Sequence, residues 1–444
     1  MSSVIAVASL HDRAAAAALA HAKDPYATLL ERVGNARIVL IGEASHGTHE
    51  FYRERAEITQ RLIAHKGFSA VAVEADWPDA LRVNRYVTGG GDDADAAAAL
   101  GGFRRFPTWM WRNADVLNFV GWLRDFNESR VRPNRVGFYG LDLYSLQTSI
   151  EAVIDYLERV DSAAAKRARL QYSCFNEVAD PTSYGRAVAL GLTESCRNEV
   201  IQTLVELRRR SQDYIHLDGA IAEDEYFYAE QNARVATDAE EYYRTMIDHR
   251  VSSWNLRDRH MFDTLEELAV HLARHRDGTK IVVWAHNSHV GNAAATEMSA
   301  RREYNIGELT RQRYGPLAAL VGFTTYAGTV SAASDWGAPV ERKSVRPALA
   351  GSYEELFHRT GVARFALMLD DPAVRAACRG PLLERAIGVI YRPETERESH
   401  YFQSSLTEQF DAIIHIDHTR AVEPLERNAA WESGEVLETY PTGL

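Results

Sequence analysis

ARIVLIGEASHGTHEFYRERAEITQRLIAHKGFSAVAVEADW, residues 36–77, decides the fold class. It opens on a short apolar run, Ala36–Ile41, and reaches a second, Ser69–Val73. Between them, from Glu50 to His65, Phe51, Ile58, Leu62 and Ile63 fall near helical spacing. Strand, helix and strand within about 35 residues is a βαβ unit, and repeating it builds a parallel sheet. Neither run alternates strictly with polar residues, and both are expected to be strands buried on both faces.

Six further runs of the same kind follow: Val136–Tyr139, Ile281–Trp284, Leu317–Phe323, Phe365–Leu369, Ile387–Tyr391 and Ala412–Ile416. Residues 146 to 275 read differently, with helical periodicity in LQTSIEAVIDYLERV and CRNEVIQTLVELRRRSQDYIHL and little strand character. The expected architecture is α/β, a mainly parallel β-sheet flanked by helices. Residues 1–145 and 276–444 would form the core, and a helical insertion, 146–275, would cover the strand C-terminal ends. Gly89 to Asp93 reads as a loop leading into an aromatic segment, FPTWMWRN, at 106–113.

Composition narrows the function classes. With 62 acidic against 50 basic side chains the formal charge is -12, the wrong sign for a protein that binds a phosphate backbone. No apolar stretch is long enough to span a bilayer, and the alanine-rich start lacks a signal peptide's basic and apolar regions. The three cysteines, Cys174, Cys196 and Cys378, are odd in number and far apart, so neither a disulfide framework nor a thiolate zinc site is expected. These features favour a soluble cytoplasmic protein acting on a small molecule, with no nucleic-acid or membrane partner; they leave the oligomeric state open.

The residues that follow the runs carry the chemistry. The first run leads into Gly42-Glu43-Ala44-Ser45-His46-Gly47, the second into Glu74-Ala75-Asp76-Trp77, the third into Gly140-Leu141-Asp142 and the fourth into Ala285-His286-Asn287-Ser288-His289. Ligands of open α/β sheets bind at the carboxyl ends of the strands, so convergence of Glu43, His46, Glu74, His286 and His289 on one crevice is expected. One acid or histidine after a strand is usually a cap or turn residue, and Asp142 fits that role. Four such strands together are the pattern of an acid–base site. A neutral His46 would serve as general base, with Glu43 or Glu74 orienting its ring. Arg53 and Arg55 follow on the helix, and one of them turned inward would stabilise an oxyanion or a carboxylate.

Two other chemistries fit parts of the pattern. Gly42-x-x-Ser45-x-Gly47 misses the nucleophile elbow by one residue, which signals a serine hydrolase only weakly. His286-x-x-His289 with Glu43 could hold a metal, although no H-E-x-x-H occurs. Glycine-rich phosphate motifs are absent.

IGEASHGTHEFYRERAEITQRLI, VAVEADWPDALRVNRYV and IVVWAHNSHVGN resemble the erythromycin esterase family, as do FPTWMWRN, WNLRDRHM and VIYRPETERESHYF; together they span about residues 30 to 425. The resemblance implies a water-activating esterase that needs no metal or other cofactor, in a family whose members include enzymes that open macrolide lactones and so confer antibiotic resistance. It implies catalytic roles for His46, Glu43, Arg55, Glu74, His286 and His289, all present here. Trp77, Trp109, Trp111 and Tyr304 are candidates to line a large apolar cleft, or simply to fill the core. The substrate would be a small-molecule ester. The alternative is a metal-dependent hydrolase or a haem- or metal-binding protein on the same scaffold, using His286 and His289.

Overall fold

The two runs that open the argument are strands, β1 (Ile38–Ile41) and β2 (Ala70–Asp76), with helix α1 (His49–Lys66) between them. They are seen in a computed structural model that describes residues 10–19, 26–176, 180–216, 219–247 and 252–433. Gly67 ends α1 in the left-handed region, φ 72°, a conformation that costs glycine little. The chain divides into two units. One comprises Met1–Val71, Tyr86–Val136 and Lys280–Leu444; the other comprises Ala72–Arg85 and Gly137–Thr279.

In the first unit β1 is flanked by β4 (Ile281–Trp284) and β5 (Ala318–Thr324), and β11 (Ala412–Ile416) lies beyond β5; all these neighbours run parallel. The edge strand, β8 (Arg364–Met368), pairs with β11 antiparallel. Every residue of β1, β4, β5 and β11 is buried, as the unbroken Val and Ile runs require. Helix α1 is tied to this sheet by Trp284, whose Nε1 donates to Thr59 Oγ1 at 2.9 Å. Helix α2 (Ala114–Glu128) meets the same indole through Phe119, with ring centroids 4.7 Å apart. In the β1–β4 register Ile41 sits opposite Trp284. Glu43 and His286, each two residues further on, therefore emerge side by side.

One expected strand is absent. Ile387–Tyr391 forms only isolated bridges, Ile387 to Ser45 and Ile390 to Ala333. It pairs with loop backbone rather than entering the sheet. Two antiparallel pairs were not expected: β6 (Ala327–Ala332) with β7 (Glu341–Val345), and β9 (Leu382–Arg385) with β10 (Tyr401–Ser404). Their polar composition hides them from a search for apolar runs.

The second unit holds most of β2, then β3 (Gly137–Asp142) and a set of helices: α3 (Leu146–Val160), α4 (Ser162–Tyr172), α5 (Pro181–Ala189), α6 (Arg197–Arg209), α7 (Gly219–Thr245) and α8 (Ser253–Ala273). Helix α7 is the axis of this bundle and packs on α3, α5 and α6. It buries Ala229, Ala233, Ala236 and Ala239, small side chains that admit Val153, Tyr156 and Leu157 from α3 into one shared core. Asp161 and Asp180 accept backbone N–H groups at the starts of α4 and α5, where Pro181 occupies the first turn. Cys174 and Cys196 form a disulfide with Cα atoms 5.9 Å apart, which overturns the expectation of unpaired cysteines. The pairing depends on α4 packing against α6, and nothing in the spacing of 22 residues announces it. Among the described residues no helix is long and apolar enough to cross a membrane.

Candidate active site

The loop after β1 is the first element of the site. Gly42 admits the Asn287 side chain to within contact, and a Cβ at Gly47 would collide with the Ser331 carbonyl. This close approach lets the loop satisfy its backbone groups. The Gly47 carbonyl accepts from Ser331 N–H (3.0 Å) and Val422 N–H (2.8 Å), Ala44 accepts from Ile387, and Glu43 accepts from Asn287 (2.8 Å). The Tyr52 hydroxyl donates to the His46 carbonyl at 2.7 Å. Thr48 stands at the N-cap position of α1, but its hydroxyl bonds to Ser45 rather than to the helix.

The side chains form a chain of contacts. His46 Nδ1 meets Glu43 Oε1 at 2.9 Å, and Glu43 Oε2 meets Arg55 Nη2 at 2.8 Å. Arg55 is fully buried, its guanidinium 4.5 Å from the Tyr52 ring centroid and 5.2 Å from that of Trp284. The Glu43–Arg55 contact lacks the alignment of a hydrogen bond, and Arg55 Nε and Nη1 have no partner among the described residues. What holds this pair together is charge in a dry setting more than directed hydrogen bonding. The His46 ring lies against His286, centroids 4.7 Å apart and tilted by 47°.

The two histidines have different partners at Nδ1. His46 Nδ1 faces the Glu43 carboxyl, and a neutral ring that donates there carries its lone pair at Nε2. His286 Nδ1 lies 3.3 Å from the backbone N–H of Ser288, which can only donate. The same Nδ1 also lies 2.8 Å from the Ser288 hydroxyl, which can donate or accept. His289 is buried on the short helical turn Asn287–Val290 that follows. The hydroxyl of Ser45 has the Thr48 hydroxyl as its partner.

The second unit holds its own cluster. Arg257 on α8 donates through Nη2 to Glu74 Oε1 at 2.6 Å and to Asp142 Oδ2 at 2.7 Å, and through Nε to Asp142 Oδ1 at 3.0 Å. Burial alone would lower the Arg257 pKa, but Asp142, Tyr144 and Glu74 outweigh it and push the value well above its usual range. Asp142 also accepts from the N–H of Leu143, the local turn role expected of it, at 2.9 Å. Among the described residues no set of three His, Cys, Asp or Glu side chains converges as a metal ion requires.

The aromatic candidates are packed. Trp77 stacks on Tyr139 and meets Phe227 edge-on; Trp109 and Trp111 lie against Phe106 and Phe103; Tyr304 is half-buried. Behind the A-H-N-S-H turn, burial pushes the Glu384 carboxyl up to about 8 and Glu354 adds to the shift; hydrogen bonds from Ser404, Gln409 and Asn287 oppose it. Sequence reasoning missed Tyr52, Ser288 and Arg257. Tyr52 stands three residues before Arg55 on the helix, Ser288 lies inside a quoted motif, and Arg257 falls in WNLRDRHM.

A family model described as Erythromycin esterase matches residues 63–419. The chain is 22% identical over 422 residues to "Erythromycin esterase type II" of Escherichia coli, covering 90% of this chain and 94% of that protein. It is 21% identical to "Putative hydrolase YbfO" of Bacillus subtilis, covering 86% and 83%. Among solved structures, a succinoglycan biosynthesis protein superposes with a TM-score of 0.75 at 21% identity, covering 95% and 98%. A mutant of the erythromycin esterase EreC in its open conformation superposes with a TM-score of 0.64 at 16% identity, covering 89% and 94%.

Proposed function

The chain belongs to the erythromycin esterase family, and from that premise we propose that it hydrolyses an ester by attack of a water that His46 deprotonates. The observation that carries this reading is the Glu43–His46 contact at 2.9 Å with the His286 ring centroid 4.7 Å from that of His46. Glu43 keeps the Nδ1 proton in place, so Nε2 is the basic nitrogen, and the carboxylate stabilises the imidazolium once the water has given up its proton. In the tautomer that carries its proton at Nε2, His286 donates to the oxygen on which charge develops. Arg55 is sealed from solvent and engaged by Glu43, and it acts as a positioning residue that keeps Glu43 in register. His289 supports the turn that carries His286.

The substrate is proposed as a small-molecule ester, with a macrolide lactone as the narrower case. The relative named as an erythromycin esterase over nearly the whole length favours that narrower case. The test is a mass-spectrometric hydrolysis screen over macrolides of several ring sizes and simple esters, run with and without a chelator. Gain of one water on a macrolide, unaffected by the chelator, is the expected result. Activity only on simple esters would keep the mechanism and remove the macrolide. Activity lost to the chelator and restored by a metal would overturn the metal-free reading.

A further inference from the structure

A second cavity lies within the first unit, ≈ 340 Å³ in volume, and none of Glu43, His46, Arg55 or His286 lines it. It is bordered by His49 at the start of α1, Asp115 and Asn118 on α2, Arg342 on β7, Arg420 and Trp431. The acids around it are already matched. Asp115 holds His49 Nδ1 at 2.8 Å, Glu50 takes Arg420 Nε at 3.1 Å, and Glu423 pairs with Arg427. Arg342 is the exception. Its guanidinium lies 5.6 Å from the Trp431 ring centroid and donates only to the Glu432 carbonyl at 3.3 Å, with no carboxylate partner among the described residues. Arg420 spends Nε on Glu50, and its side chain is 71% exposed.

The lining thus carries two arginines and two acids, and Arg342 is the arginine with no carboxylate partner among the described residues. This half-buried arginine stands in the same cavity as a second arginine, Arg420, whose Nε alone is spent on Glu50. Guanidinium forks match the paired oxygens of phosphate and carboxylate, and such charge-assisted bonds are about twice as strong as neutral ones. The cavity volume falls at the lower end of the range for small-molecule sites, enough for an oxyanion carrying a small organic group.

We propose that this cavity is a binding site for a small organic oxyanion, a phosphate monoester or a carboxylate, gripped by Arg342 and Arg420. It is wired to the loop that carries His46. The strand segment supplying Arg420 accepts from His49 N–H at 2.8 Å, and Val422, two residues on, donates to the Gly47 carbonyl at 2.8 Å. An occupant would thus sit against the backbone that holds the catalytic loop, without touching the catalytic side chains.

The experiment is calorimetric titration of the full chain at low salt with phenyl phosphate, inorganic phosphate and benzoate. Wild type, R342M, R342K and H46N are compared. Saturable binding is expected in wild type with the same affinity in H46N, about tenfold or more weaker in R342M, and intermediate in R342K, which keeps the charge but not the fork. Phenyl phosphate binding more tightly than benzoate identifies a phosphate ester as the ligand class, and the reverse order identifies a carboxylate. No saturation by any probe up to about 10 mM would overturn the proposal. So would unchanged affinity in R342M, or affinity lost in H46N alone. None of these readouts depends on ester hydrolysis.

Discussion

Each unit buries a glutamate near a strand end against an arginine, and the two pairs are built for different ends. In the first unit Arg55 serves one acid, Glu43, and that acid spends its other oxygen on His46. In the second unit Arg257 serves two acids, Asp142 through two hydrogen bonds and Glu74 through one. The formal charges of the first group sum to zero while His46 is neutral, and to +1 once it takes a proton. Those of Glu74, Asp142 and Arg257 sum to −1 throughout. The same residue types thus give a carboxylate poised beside a proton acceptor in one place, and a multidentate clamp joining α8 to β2 and β3 in the other. The difference lies in what occupies the remaining carboxylate oxygen.

The sharpest way to test that contrast is to remove the histidine. H46N should lower turnover on the order of 10³-fold with the melting temperature unchanged, measured by steady-state kinetics and calorimetry on one preparation. Near-wild-type turnover would end the general-base reading. Next come the arginines. R55M and R257M should each cost about 3 to 5 kcal/mol in urea denaturation, because each strands buried acid. The double variant E43Q/R55M should regain stability without regaining turnover; recovery of both would make the first pair structural as well.

Reducing the Cys174–Cys196 bond should destabilise the second unit by about 3 kcal/mol, the entropy released on opening a loop of that size. Limited proteolysis checks it: cleavage under reductant should begin between α4 and α6, and cleavage starting in the first unit would contradict it. The smallest effect concerns Glu384, a buried carboxyl with no arginine among the causes of its shift. Its folded pKa, about 8, lies above the ordinary 4.5, so the folded state binds the proton more tightly. The stability this contributes is complete below pH 4.5 and is lost as pH rises through 8. E384Q should therefore gain on wild type in denaturation midpoint between pH 5 and pH 9; a constant gap would show that Glu384 is ionised throughout.

Much of this was legible in advance for one reason: a parallel strand buried on both faces leaves a continuous Val and Ile signature. Ile38–Ile41, Ile281–Trp284 and Ala412–Ile416 could be placed almost to the residue. Ile387–Tyr391 has the same composition but pairs with loop backbone, and composition does not encode a partner. The polar pair β6–β7 gave no apolar signal, yet Ser331 on β6 pins Gly47 of the loop that follows β1. Of the site, Glu43, His46 and His286 were readable because chemistry trails strands, while Arg257 sits mid-helix among many arginines of no distinction.

By itself the sequence determined the α/β class, the strand-end location of the acids and histidines, and the resemblance that the family match bears out. Side-chain type and spacing suffice for these, because burial and periodicity are local properties. The residues alone left Arg53 and Arg55 open and the resemblance pointed to Arg55; the tertiary structure places Arg55 against Glu43, 4.5 Å from the Tyr52 ring centroid and 5.2 Å from that of Trp284. Only the tertiary structure set the His46 and His286 rings 4.7 Å apart, joined Cys174 to Cys196, and left Arg342 without an acid among the described residues. Each of these depends on which segments distant in the chain are brought within about 3 to 6 Å of one another, and at that range one neighbour sets whether a group is paired, oriented or left with charge to offer.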